Sequence, residues 1–180
     1  EGYSVRSPGT WTLVTTANTT RGVFLRNPFN AEENLFVNCS SPSSSNYSSV
    51  RDLGSPEDAA KGVIDRYLNE FMSTRLGIRR ESEIVRAGER EGKDGRLYYD
   101  VAVRIRSFAA SNQYGLTQQE RPQTLEWDRT QLASFGVENK RLYELRIQVP
   151  SSKYTTDEGQ LQEILDSFEL FTMEPGKTMI

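Results

Sequence analysis

Alternating apolar and polar runs, broken by two segments of helical periodicity, predict an α+β fold: an antiparallel sheet with helical cover. Strand-like runs recur at short spacing over the first forty residues and return between residues 81 and 149. Two other stretches repeat apolar residues every three or four positions. The chain's 180 residues, 36% of them hydrophobic, suffice to enclose one continuous core. One domain over residues 1–172 is expected, with 173–180 as a C-terminal tail.

The opening run Gly2-Tyr3-Ser4-Val5-Arg6-Ser7 alternates before Pro8, and Trp11-Thr12-Leu13-Val14 begins a second β-rich run. Residues 22–27 and 34–39 follow, separated by Pro28 and an Asn/Glu cluster suited to a turn, so the first forty residues read as an antiparallel meander. Residues 40–49 hold seven serines and little to bury, which reads as a spacer loop, with a docking or phosphorylated loop as the alternative.

Ser55-Pro56-Glu57-Asp58 is a helix start: serine caps, proline suits the first turn, and two acids complement the positive end of the dipole. Ala60, Val63, Ile64, Tyr67, Leu68 and Phe71 then share one helical stripe, with Gly77 as a stop. A stripe of this kind covers the protein's own sheet far more often than it docks a partner.

A polar alternating stretch over 81–90 leads through Gly92-Lys93-Asp94-Gly95 into residues 96–106, where Tyr99, Val101, Val103 and Ile105 share a face; this predicts a long hairpin turning at Asp94-Gly95. Thr124-Leu125-Glu126-Trp127 predicts another strand, and 142–149 one more, with Tyr143, Leu145, Ile147 and Val149 on one face. Residues 108–120 and 128–139 read as irregular. Leu161, Ile164, Leu165 and Phe168 mark a second helix preceded by a Thr/Asp cluster near Asp157, and Leu170-Phe171 forms a short apolar end.

Composition excludes whole classes of chemistry. The absence of histidine removes the commonest general base and transition-metal ligand, together with His-based triads and HExxH zinc sites. Cys39 stands alone, so no internal disulfide, Cys-x-x-Cys pair or cysteine-rich zinc site can form, and its apolar strand makes it a small buried hydrophobe. A net charge of −3 argues against nucleic acid as a partner, and no apolar run is long enough to span a membrane. No signal-like segment precedes Glu1, so a mature or trimmed chain is expected.

Gly88-Glu89-Arg90-Glu91-Gly92-Lys93-Asp94 has three residues between its glycines where a phosphate loop needs four, and Asp94 where it needs Ser or Thr; a hairpin tip explains it better. The acids Asp52, Glu57, Asp58, Asp157 and Glu158 lack the spacing of a calcium loop and suit helix capping. No catalytic, cofactor-binding or metal-binding residue is therefore assigned. Cations crowd the 79–106 hairpin, and Arg79, Arg80, Arg104 and Arg106 are the candidate partner-binding residues, together with the 111–119 loop; the plainer reading is a solvated sheet face.

Gly2-Tyr3-x-Val5-x-x-Pro8-x-x-Trp11 resembles the opening of the PsbP family, the extrinsic lumenal proteins of photosystem II. In the same order, Gly54-Ser55-Pro56-Glu57 resembles the family's helix start, and Asp94-Gly95-Arg96-Leu97-Tyr98-Tyr99 its Asp-Gly-Lys-x-Tyr-Tyr hairpin. Lys140-Arg141-Leu142-Tyr143 resembles a later strand entry, and Ser167-Phe168 the terminal Ser-Phe. The resemblance implies an α-β-α sandwich on a central antiparallel sheet, the PsbP or Mog1-like fold. It also implies residence in the chloroplast thylakoid lumen, peripheral to the membrane, and a non-enzymatic role supporting assembly or stability of photosystem II or I, or a related complex, by docking on its lumenal face. A monomer is expected when free. Departures at 111–136 and at Tyr154, where the family has tryptophan, point to a PsbP-domain relative rather than the oxygen-evolving subunit itself. Calcium is discussed for the family, often with histidine participation, so with no histidine here no metal site is carried over. The alternative is a small-molecule or calcium-binding module with a pocket lined by Tyr98, Trp127 and Tyr143. No residue spacing supports a carboxylate or lysine enzyme.

Overall fold

The computed structural model describes residues 2–14, 22–41, 46–70, 77–110 and 122–172. Its strands in chain order are β1 (Tyr3–Ser4), β2 (Thr12–Leu13), β3 (Val23–Asn27), β4 (Asn30–Cys39), β5 (Ile78–Glu91), β6 (Leu97–Ala110), β7 (Gln123–Glu138), β8 (Arg141–Pro150) and β9 (Glu169–Leu170). Helices α1 (Pro56–Glu70) and α2 (Ser151–Asp166) separate β4 from β5 and β8 from β9. Seven strands form one antiparallel sheet in the order β2-β3-β4-β8-β7-β6-β5, and β1 pairs with β9 apart from it.

The helices lie on opposite faces, as the alternation along β6 shows. Tyr99, Val101 and Val103 enter one core with Ala60 and Val63 of α1; Tyr98 and Ala102 enter the other with Leu161 and Leu165 of α2. A strand buried on both faces reads as a nearly continuous apolar run, which is why residues 97–103 look so hydrophobic. The α-β-α sandwich is therefore present. The expected face Tyr143, Leu145, Ile147 and Val149 lies wholly in the α2-side core, and so does Cys39.

Local chemistry explains where α1 begins. Ser55 Oγ accepts the Asp58 N–H at 3.2 Å while the Asp58 carboxylate accepts the Ser55 N–H at 3.2 Å, a reciprocal cap. Just upstream Ser49 caps a single 3-10 turn with Asp52 completing the capping box, and Gly54 leaves it at φ 87°, a conformation that favours glycine. The expected continuation of α1 to Phe71 lies outside the described residues. The hairpin turns where expected: Gly95 sits at φ 74° and donates its N–H to the Gly92 carbonyl at 2.9 Å.

Four expectations fail, each for a tertiary reason. The first forty residues are not one meander: β2-β3-β4 is, but β1 departs to pair with β9, because Tyr3 packs against Tyr143 and Phe168 at ring separations of 6.1 and 6.3 Å. Residues 128–138 are not irregular; they belong to β7, whose polar run Asp128-Arg129-Thr130-Gln131 meets Arg104, Glu32, Ser151 and Gln148, with only the Gln131 side-chain oxygen left buried without a hydrogen-bond partner among the described residues. Residues 108–110 extend β6. Helix α2 starts directly after Pro150, and the Thr/Asp cluster lies inside it, where Asp157 forms a kink at φ −113°, ψ 18°.

Two adjacent tyrosines tie the layers together. Tyr98 donates its hydroxyl to Asp94 at 2.7 Å and accepts the buried Leu170 N–H at 2.8 Å, fixing β9 on the α2 side. Tyr99 donates to the Gly54 carbonyl at 2.9 Å, fixing the entry of α1 on the other. Replacing Tyr98 by Phe strands the Leu170 N–H and is expected to cost about 2 kcal/mol, whereas Tyr99→Phe frees only a carbonyl at a loop and is expected to cost about 1 kcal/mol. Urea unfolding of both variants checks the order; equal costs, or the reverse order, would contradict the assignment of Tyr98 as the stronger tie.

Candidate docking face on the sheet

Even-numbered positions of β6 face α2, whose later turns reach β5 through Arg86–Gln162 and Arg90–Leu165, but its first turn leaves Arg104 and Arg106 partly exposed. The register sets Glu83 opposite Arg104, Glu81 opposite Arg106 and Arg79 opposite Phe108. These side chains consequently share one open face. Arg80 pairs across to Ser107, an odd position, and so lies on the α1 side; its Nε is buried with no hydrogen-bond partner. The structure thus groups three of the four candidate arginines and separates the fourth.

The three do not form a free cationic patch. Arg104 grips Asp128 through two bonds, Nε to Oδ1 at 2.9 Å and a terminal nitrogen to Oδ2 at 2.5 Å, and approaches Glu83 at 3.5 Å. Arg106 reaches Glu81 at 3.3 Å and Glu83 at 4.0 Å. Arg79 pairs with Glu81 at 2.6 Å and lies over the Phe108 ring at 4.7 Å. Three arginines meet three carboxylates, so the face is a neutral ladder of alternating charge. Arg79, at 56% exposed, is the most accessible rung.

Apolar side chains border the ladder. A bulge between Ile84 and Arg86 turns Val85 outwards, and Leu125, opposite Phe108, is half exposed. Beside them a groove of about 480 Å³ runs between the sheet and the first turn of α2, where Thr130 and Ser151 share a hydroxyl bond at 2.9 Å. The expected 111–119 contact loop lies outside the described residues. Val85 carried a signal in its sequence, an extra apolar residue in an otherwise alternating strand. The groove carried none, because it depends on α2 beginning directly at Ser151.

The other expected site does not assemble. Tyr98 and Tyr143 belong to the α2-side core, while Trp127 stacks edge-on against Tyr67 of α1, ring centroids 6.0 Å apart, on the opposite face. The three are therefore split between the two faces of the sheet. A larger groove, about 730 Å³, opens between residues 4–8 and the C-terminal end of α2, with Val5 and Ile164 in its wall and Arg6, Lys93, Glu163 and Glu169 around it. It exists because β1 returns to β9.

The motif residues serve architecture. Asp94 sits beside Arg96, which also reaches Glu138 at 2.7 Å and the Leu170 carbonyl at 3.1 Å. Arg90 joins Asp100, Ser134 and the Leu165 carbonyl, locking the end of α2 to three strands. Burial raises the Tyr98 phenol, and neighbouring Asp94 raises it further. Burial opposes ionisation of Asp94, yet hydrogen bonds from Tyr98, the Arg96 amide and the Arg96 guanidinium hold its carboxyl below the ordinary range. At the candidate docking face, the Arg104 bonds hold Asp128 low against the opposing effect of burial, with the Ser151 hydroxyl assisting.

The sign of the pH dependence follows. A carboxyl depressed by folding stabilises the native state fully above its unfolded value, near pH 4, and loses that contribution as pH falls through the folded value. Without histidine, no side chain has an ordinary pKa between the carboxylates and the cysteine thiol. The urea midpoint is therefore expected to be flat between about pH 5.5 and 7 and to fall steeply below about pH 4. A midpoint that moves within the upper window would overturn this account.

Known proteins resemble this chain in sequence and in fold. A family model described as PsbP matches residues 1–170. Over 170 residues the chain is 46% identical to PsbP domain-containing protein 1, chloroplastic, of Arabidopsis thaliana, covering 94% of this chain and 58% of that relative. The chain thus spans a little over half the length of that relative. Among solved structures, the solution structure of cyanobacterial PsbP (CyanoP) from Synechocystis sp. PCC 6803 matches with a TM-score of 0.66 at 21% identity, covering 94% of this chain and 87% of that one, a likeness of fold. The Ran-binding protein Mog1p of Saccharomyces cerevisiae matches with a TM-score of 0.49 at 12% identity over 94% and 90% of the two chains.

Proposed function

Because the chain belongs to the PsbP family, we propose that it is a non-enzymatic accessory protein of the thylakoid lumen that supports assembly or stability of a photosynthetic membrane complex by docking on its lumenal face. A chloroplastic relative at 46% identity supports the compartment, and no helix among the described residues is long and apolar enough to cross a membrane. The observation that carries the reading is the open face of β5, β6 and β7. It is only flanked by the first turn of α2, bordered by Val85 and Leu125, and laddered with charges that can be exchanged for a partner's.

Such a face works by register rather than by bulk attraction. With three arginines against three acids it has little net field to steer encounter, but a partner presenting the complementary alternation can trade each intramolecular pair for an intermolecular one. Like charges set opposite by a wrong partner or a shifted register are penalised. Exposed pairs contribute little to the fold, so exchanging them costs little stability.

Arg104 is the wrong residue on which to test this. Its replacement by Glu would set a third carboxylate beside Asp128 and Glu83 and disturb folding together with docking. The double variant Arg79→Gln, Arg106→Gln leaves that grip intact. It is expected to weaken binding to purified photosystem I or photosystem II, whichever the unaltered chain binds, by about three- to tenfold, with a reduced salt dependence and a nearly unchanged melting temperature. Unchanged affinity in a folded double variant would remove this face from the proposal.

A further inference from the structure

The β3–β4 hairpin turns through Asn27-Pro28-Phe29-Asn30, and Phe29 is 91% exposed, the most exposed large apolar side chain among the described residues. Its ring belongs to neither core cluster. A turn selects asparagine and proline for backbone reasons, and none of those reasons calls for an aromatic ring at this position.

The turn beneath the ring is braced. Asn27 Oδ1 accepts the Phe29 N–H at 3.0 Å, and Asn30 Oδ1 accepts the Glu32 N–H at 3.1 Å. The two asparagine amides donate to the two oxygens of the Glu33 carboxylate, each at 2.9 Å. Glu33 is only 4% exposed, and Lys153 of α2 closes the network at 2.6 Å, tying the tip of the hairpin to the body of the protein. A ring carried on such a turn gives up little loop freedom on binding.

The charges around it are sorted. Both acids that follow the turn are engaged internally, Glu32 with Arg129 at 2.9 Å and Glu33 with Lys153. Arg26, exposed on β3 just before the turn, makes no ion pair among the described residues. Leu13, opposite Leu25 on the edge strand β2, adds a second exposed apolar side chain at this end of the sheet.

We infer that Phe29, flanked by Arg26, anchors a second docking surface that seats in an apolar socket rimmed by carboxylates on a partner protein. The surface lies at the opposite end of the strand order from the Arg79–Arg106 face. A protein socket fits the magnitudes better than a bilayer does. Membrane binding by a single myristoyl chain is already marginal, and one benzyl group buries less, whereas one preorganised aromatic in a desolvated pocket is the usual form of an interface hot spot.

The probes for the test rest on the accessory reading above: purified, detergent-solubilised photosystem I and photosystem II, with phosphatidylcholine–phosphatidylglycerol vesicles as the lipid arm. Phe29→Ala is expected to weaken binding to the complex that the unaltered chain binds by about tenfold or more, with its melting temperature unchanged, while Phe29→Trp retains binding. Arg26→Glu is expected to weaken it less, and most at low salt. If Phe29→Ala binds that complex as the unaltered chain does, the socket inference fails and the accessory reading stands. If the variant loses vesicle binding alone, the contact is with lipid and the inference fails. If the unaltered chain binds neither photosystem, both readings fail.

Discussion

Strand β6 is packed on both faces, and the rest of the molecule depends on how its two consecutive tyrosines divide their work. Because successive side chains of a strand point to opposite faces, Tyr98 and Tyr99 must enter different cores, and each carries a hydroxyl that has to find a partner once its ring is buried. The partners found are the N–H of Leu170 and the carbonyl of Gly54, which lie in the closing strand on one side and at the entry of α1 on the other. Two segments that are distant in sequence are thereby fixed against one strand. Nothing comparable is available to an apolar pair such as Val101 and Ala102, which fill space without choosing what lies above them.

Around this axis the buried charges select one arrangement of the layers. Arg90 meets Asp100 and Ser134 from neighbouring strands and reaches the Leu165 carbonyl near the end of α2, while Arg96 meets Asp94 and Glu138 and reaches β9. Removing one partner from such a group leaves a charge without compensation in a poorly solvated place, so slippage of α2 or β9 along the sheet is penalised even where apolar contacts would tolerate it. This explains why the polar residues of β6 and β7 are compatible with a sheet interior. It also explains why they are hard to read.

The legible part of the sequence was the part governed by local rules. Ser55-Pro56 announced α1, Asp94-Gly95 announced the hairpin turn, and the Tyr143 to Val149 alternation announced the core face of β8. The illegible part was governed by partners far along the chain. Asp128 to Gln131 looks unlike strand until Arg104, Glu32, Ser151 and Gln148 are placed beside it, and β1 looks like the first arm of a hairpin until Phe168 is placed under Tyr3. The candidate site divides in the same way. The arginines were visible as residues, but their neutralisation by Glu81, Glu83 and Asp128 is a property of register across three strands, and a tally of charge along the chain does not contain it.

The motifs that carry the family resemblance and the surfaces proposed for docking are different sets of residues. Gly54-Ser55-Pro56 and Asp94 to Tyr99 are spent on a helix cap, a turn and two hydroxyl ties, all within or against the core. The ladder on β5 and β6 and the braced tip at Phe29 lie outside every one of them. A change at a rung of the ladder or at the tip leaves both cores intact. The converse also holds: a change at Tyr98 disturbs β9 and the groove beside it without touching either contact surface. Shared motifs therefore identify the scaffold, and a function has to be argued from residues that the motifs do not include.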